Sequence, residues 1–111
     1  MKHIIRQVAK DDIIRQFRYY LLEGALEAAT RFLDAVDESI EAICQMPHIG
    51  APKPVKNPIL SGLRSCAVKG FKDILVFYVV QPDALRVVRV LHRRRDIKRI
   101  LEREKSDEAH H

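Results

Sequence analysis

In the stretch ALRVVRVLHRRRDIKRIL, residues 84–101, arginines interrupt an aliphatic run, a histidine follows, and three consecutive arginines come next. Residues of these types can cleave RNA. Attack by a 2′-hydroxyl needs a base for its proton, an acid for the leaving oxygen and cations for the charge on the phosphorane. Arg89, Arg93, Arg94 and Arg95 can supply the cations, and His92, whose intrinsic pKa is near neutrality, is the one histidine beside them. His3 and His48 lie at unrelated places, and no glutamate falls within the candidate strands. Lys69 and Lys72 flank a turn, where lysines are more often solvated charges than catalysts. The acid and base are thinly provided.

Each of these residues also has a plain structural reading. His92 at a strand end would hydrogen-bond to backbone or to a carboxylate, with Asp96 the nearest. Alternation along the strand puts Arg89 with Leu85, Val87 and Leu91 on one face, and Arg86 with Val88, Val90 and His92 on the other. An arginine in that company either snorkels to the rim of the sheet or pairs with an acid from the helices. Arg93 to Arg95 open a helix, where positive charge is unfavourable against the helix dipole, and that local cost hints at a partner.

The elements that must position these residues can be read from periodicity. KHIIRQVA is a short strand candidate, and Asp11 and Asp12 after it suit a helix start. Ile13, Ile14, Phe17, Tyr20 and Leu21 recur at helical spacing, and Gly24 supplies a stop. A second helix carries the stripe Leu26, Ala29, Leu33, Val36, Ile40 and Ile43, with Ala25, Ala28, Phe32, Ala35 and Ala42 beside it. Two apolar faces predict two neighbours, a partner helix and a sheet. MPHIGAPKPVKNP ends the helix in an ordered loop, LRSCAVK and DILVFYVVQ read as strands, and Leu85 to His92 makes a third before the short helix DIKRIL. The run Ile74 to Val80 is apolar throughout, as a strand covered on both faces would be. The order predicts an α+β domain: an N-terminal strand, a helical hairpin packed on a mainly antiparallel sheet of about four strands, and a short C-terminal helix.

Composition bounds what such a domain can do. At 111 residues it forms one domain, assigned here to 1–105, with 106–111 a disordered tail ending in His110 and His111, which look like a tag remnant. No apolar run approaches the roughly 18 residues of a membrane span, and no secretory signal opens the chain, so a cytoplasmic location is expected. Cys44 and Cys66 lack metal-ligand spacing and are too few for a disulfide framework. No cofactor, metal, phosphate-loop or nucleophile-triad motif is visible. The net charge of +5 is unevenly placed: residues 11–45 carry a net −5 and residues 86–105 a net +6. A basic C-terminal face suits an anionic partner, nucleic acid or an acidic protein.

Three segments resemble the ParE toxins of bacterial toxin–antitoxin modules, within the ParE/RelE superfamily. AATRFLDAVDESIEAICQMPHIGAPKP is similar to the family's second helix and its exit, GLRSCAVKGFKDILVFYVV to its central hairpin, and RVVRVLHRRRDI to its closing strand. The last is the most specific, and the likeness covers nearly the whole chain. It implies a RelE/ParE-like fold and a growth-arresting, plasmid-stabilising toxin that binds DNA gyrase, its A subunit in particular, and blocks replication. It also implies a cognate ParD-like antitoxin, with an oligomeric complex between the two left open, and no membrane partner. The antitoxin would seat on a groove including Phe17, Tyr20, Leu21 and Phe32; Arg93, Arg94, Arg95 and Arg99 would meet the target or nucleic acid. The alternative branch, RelE-like ribosome-dependent endoribonucleases, would use Arg64, Lys69, Arg89 and His92 at matching places. This chain shows no acid/base pair and no tyrosine near its C-terminus for that chemistry, so gyrase inhibition leads. A third reading is a relative that binds antitoxin without toxicity.

Overall fold

The computed structural model describes residues 1–106, so the expected tail lies outside the described residues apart from Ser106. Strand β1 (His3–Ile5) leads into helix α1 (Gln7–Leu22), which turns back into α2 (Leu26–Gln45). Strands β2 (Ala51–Pro52), β3 (Arg64–Val68), β4 (Phe71–Val80) and β5 (Leu85–His92) follow, and α3 (Ile97–Glu102) closes the order. The five strands form one sheet in the order β1-β5-β4-β3-β2, with β1 parallel to β5 and the other pairs antiparallel. The fifth strand, β2, is a two-residue pairing within the proline-rich loop.

The helical hairpin forms where glycine permits it. Gly24 adopts φ 73°, and its N–H and that of Ala25 donate to the carbonyls of Leu21 and Tyr20 at 3.0 and 2.9 Å, a Schellman closure of α1. Helix α1 starts a turn earlier than the two aspartates suggest. The buried stripe reaches back to Ala9, which has no exposed surface, and this places Asp12 inside the helix rather than at its cap.

Helix α2 buries Ala29, Phe32, Ala35, Val36, Ile40 and Ile43 against α1 and the sheet, as its two apolar faces require. Leu26 and Leu33 depart from that pattern and remain 66% and 37% exposed. Beneath the helices lie Ile74, Val76 and Tyr78 of β4 with Leu85, Val87 and Val90 of β5. The opposite face of the sheet buries Phe77, Val79, Val88 and Leu91 under Leu60, Leu63 and Leu101. Strand β4 is thus covered on both sides, as its unbroken apolar run predicts.

Strict alternation fails on β5. Phe77 pairs with Arg89 and Tyr78 with Val87, so Val88 is one extra residue, a β-bulge. The bulge restarts the alternation, and Leu91 joins Val88 on the α3 side instead of sharing a face with Val87. Arg89 sits at this break.

On β4, beside the bulge, Tyr78 is fully buried and its hydroxyl donates to the Pro47 carbonyl at 2.8 Å while accepting from the Gly50 N–H at 2.9 Å. Arg64 reaches the same loop, donating to the carbonyls of Gly50 and His48 at 2.6 and 3.2 Å. A Cβ on Gly50 would lie 2.5 Å from the Tyr78 hydroxyl and 2.9 Å from the Ser65 carbonyl, so glycine is required by close approach. Gly50→Ala should therefore lower stability by about 1–3 kcal/mol in urea unfolding; an unchanged midpoint would show that the loop can yield.

Burial pushes the Tyr78 phenol above its ordinary pKa of 10.0. Because the folded state holds the proton more tightly than the unfolded chain, this contribution is complete below pH 10 and is lost as pH rises through the folded value. Unfolding midpoints should fall more steeply above that pH in the native chain than in Tyr78→Phe, and parallel curves would contradict this account.

Candidate functional site

Two charged constellations stand out, one buried and one exposed. The buried one is built on Arg89. Its Nε and Nη2 donate to the two Asp12 carboxylate oxygens at 2.7 and 2.8 Å, a bidentate fork, and its Nη1 donates to Glu104 at 2.5 Å. The second Glu104 oxygen accepts from Arg6 Nη1 at 2.9 Å, and Arg6 Nη2 donates to the Lys105 carbonyl at 3.0 Å. Asp12 also accepts from the Val90 N–H at 3.0 Å, holding the strand just past the bulge. The carboxylate of Asp12 is almost wholly buried, and the side chains of Arg6, Glu104 and Arg89 are about nine-tenths so. The paired Asp12 carboxylate raises the Arg89 pKa beyond its already high value, with Glu104 adding to the effect. Among the described residues, every buried side-chain polar atom has a partner.

Of the two readings open for Arg89, pairing with a helical acid is the one observed. The signal was present in the sequence: an arginine in an aliphatic strand demands a carboxylate, and Asp12 lies three residues from Ala9 on the buried stripe. Arg6 and Glu104 gave no such signal, since neither interrupts an apolar pattern.

The four residues matched to the nuclease branch do not converge. Arg64 is opposite Tyr78 and His92 opposite Ile74, four positions apart along β4, or about 13 Å at strand spacing. Arg64 is spent on the Pro47–Gly50 loop, and Arg89 on Asp12 and Glu104. Lys69 is exposed at the hairpin turn, 3.8 Å from Glu38, while its N–H donates to Ser39. His92 Nδ1 accepts from the Arg94 N–H at 3.1 Å, which is the backbone partnership its strand-end position suggested, with Arg94 and not Asp96 as the partner.

The exposed constellation is the exit of β5. Arg93, Arg94, Arg95, Lys98 and Arg99 are all exposed. Arg93 reaches across to the Lys72 carbonyl at 3.2 Å and lies 3.8 Å from Asp73, which fixes the start of the turn. Asp96 accepts from the Arg99 N–H at 3.4 Å and so caps α3.

On the hairpin side, Phe17 and Tyr20 are half-buried against the core and Leu21 is exposed. Phe32, placed at the same surface by the sequence, has no accessible area; it lies beneath Tyr20 and Phe71 in edge-to-face contacts at 5.7 and 5.4 Å. Tyr19, Leu22 and Leu26 instead supply the apolar surface near the hairpin turn, with Leu22 82% exposed. No group of His, Cys, Asp or Glu among the described residues could hold a metal ion. Nor is any helix among them long and apolar enough to cross a membrane.

The family model described as the ParE toxin of the type II toxin–antitoxin system parDE matches residues 4–97. The chain belongs to the ParE toxin family. Its fold is shared with a chain from a solved structure titled as the chromosomal ParDE toxin–antitoxin system from P. aeruginosa, at a TM-score of 0.67 and 17% identity, covering 83% of this chain and 95% of that one. No curated protein sequence matches. In this ParE the matched span contains Arg6, Asp12 and Arg89, whereas Glu104 lies beyond it.

Removing one partner of a buried ion pair strands the other charge. Asp12→Ala should cost this ParE about 3–5 kcal/mol in equilibrium unfolding, and Asp12→Leu combined with Arg89→Met should recover much of that loss. A cost below about 1 kcal/mol for the single change would deny the pair its organising role.

Proposed function

We propose that this ParE is a toxin that binds DNA gyrase, the A subunit in particular, and stalls it on cleaved DNA, and that a cognate ParD-like antitoxin neutralises it. Membership of the ParE family over residues 4–97 carries the reading. The exposed arginines of the β5 exit are its target contact: Arg94, Arg95 and Arg99, with Arg93 pinned beside them by the Lys72 carbonyl. Their shared sign steers the toxin towards an anionic surface, which is either acidic protein or the DNA that gyrase holds.

The antitoxin contact is the apolar side of the helical hairpin. Phe17, Tyr20 and Leu21 contribute to it, Phe32 supports it from below, and Tyr19, Leu22 and Leu26 extend it. Such a surface fits an amphipathic segment laid into a groove. The chain works within the cytoplasm on this reading.

The endoribonuclease alternative is disfavoured by geometry. Its four candidates are spread over the sheet, and two of their guanidinium groups hold the fold together.

The deciding measurement pairs a gyrase supercoiling and DNA-cleavage assay with mRNA cleavage on ribosomes, using purified toxin. Supercoiling should be inhibited and cleaved DNA should accumulate, a ParD-like protein should restore activity, and mRNA should stay intact. The triple change Arg94→Glu, Arg95→Glu, Arg99→Glu should weaken inhibition at least about tenfold at fixed salt, since losing one or more charge contacts of about 1.4 kcal/mol in total suffices. Unaffected gyrase at high toxin excess overturns the proposal. Codon-positioned mRNA cuts lost in His92→Ala would favour the nuclease instead.

A further inference from the structure

Helix α2 turns to solvent a row of acids that the proposed toxin function leaves unused. Glu27, Asp34, Asp37, Glu38 and Glu41 are all exposed, in a chain whose net charge is +5. Asp34 and Glu38, like Asp37 and Glu41, stand one helical turn apart, where like charges oppose the helix. Little around them offsets that repulsion. Lys69 is 3.8 Å from Glu38 and His3 is 4.0 Å from Glu41, both beyond hydrogen-bond length, and Arg31 is drawn over the Phe71 ring at 5.6 Å. Leu33 lies within the row and is 37% exposed.

A surface of opposite sign is carried by the same molecule. Arg93, Arg94, Arg95, Lys98 and Arg99 are exposed at the β5 exit, with Asp96 among them. The two patches flank one end of the sheet. At the β3–β4 turn the Lys69 N–H donates to Ser39 of α2 at 2.9 Å, and a few residues further on the Asp73 carbonyl accepts from the Arg93 N–H at 2.7 Å. The acids therefore lie on the helical side of this turn and the arginines on the β5 side. Adjacent patches of opposite sign are self-complementary: a two-fold rotation lays the acids of each copy on the cations of the other and closes the pair.

We infer that this ParE pairs with a second copy of itself, the α2 acids of each against the β5 exit of the other. The like net charge of the two copies does not prevent it. At physiological ionic strength the Debye length is about 8 Å, short against the 26 Å smallest extent of the chain. Repulsion between the two bodies as wholes is thus largely screened, whereas charges brought into contact are not. Leu33 excludes water beside those contacts and so strengthens them. On the reading that Arg94, Arg95 and Arg99 meet gyrase, the pair covers its own target contact and dissociation uncovers it.

The test is sedimentation equilibrium of the full chain over a concentration series. The unaltered chain should form dimers at physiological salt, and its dissociation constant should rise at least about tenfold at 1 M salt, where the Debye length is about 3 Å. Two charge-reversed variants are then compared, Asp34→Lys with Asp37→Lys and Glu38→Lys, and Arg94→Glu with Arg95→Glu and Arg99→Glu. Each alone should be monomeric, because both its patches carry one sign. Mixed together they should associate, since each then meets its opposite at both contacts. A monomeric unaltered chain, a folded variant that still self-associates, or a mixture that stays monomeric would overturn the inference. If a variant fails to fold, the salt series on the unaltered chain decides, and association that salt leaves unchanged counts against the charge pairing. None of these readouts involves gyrase, so failure of the target reading leaves the sedimentation result intact, and failure of the pairing leaves gyrase inhibition intact.

Discussion

The rest of the structure depends on keeping the Arg89 charge inside the protein. A guanidinium cannot shed its proton to escape burial, so the fold has to bring carboxylates to it. Asp12 meets it from α1 and Glu104 from the segment after α3. Each demand fixes an element: α1 must start early enough to present Asp12 inward, β5 must bulge so that Arg89 reaches it, and the chain after α3 must fold back over the sheet. A hydrophobic substitute of similar volume would be no less stable by itself. What the ions add is register, since a one-residue slip of β5 or a rotation of α1 would strand a charge rather than merely loosen a contact.

The sequence shows the skeleton of this arrangement and hides its joints. The stripe of α2, the doubly covered β4, the stop at Gly24 and the strand from Leu85 to His92 are all visible, because each follows from a fixed period or from one residue's backbone freedom. The start of α1 is not, since two adjacent aspartates imitate a cap while one of them is a core residue. The bulge at Val88 is equally silent: every residue around it is apolar or arginine, so nothing in the pattern marks the change of face. Phe32 and Leu26 exchange their expected exposure for a related reason. Two apolar stripes on one helix do not say which edge its partner leaves bare.

The candidate site divides in the same way. The charge asymmetry that sets the β5 exit apart is read directly from residue types, and the exit is exposed as they imply. The resemblance to ParE rests on the closing strand, and family membership agrees with it. Fold alone does not choose between the gyrase and endoribonuclease readings; what bears on the choice is where individual side chains are committed. Arg64 braces the loop at Gly50 and Arg89 braces the helix at Asp12, so both cations act here as struts. That commitment appears only in three dimensions.

The parallel pairing of β1 with β5, and the ion pair joining Arg6 to Glu104 across 98 residues, set a schedule for the birth of the protein. Synthesis is vectorial, and at about 5–20 residues per second the partner strand emerges roughly 4 to 16 s after the first one. Until then β1 has no ladder to join and the arginine of β5 has not been made. The ion-paired core around Arg89 therefore closes only after β5 and residue 104 have both been made.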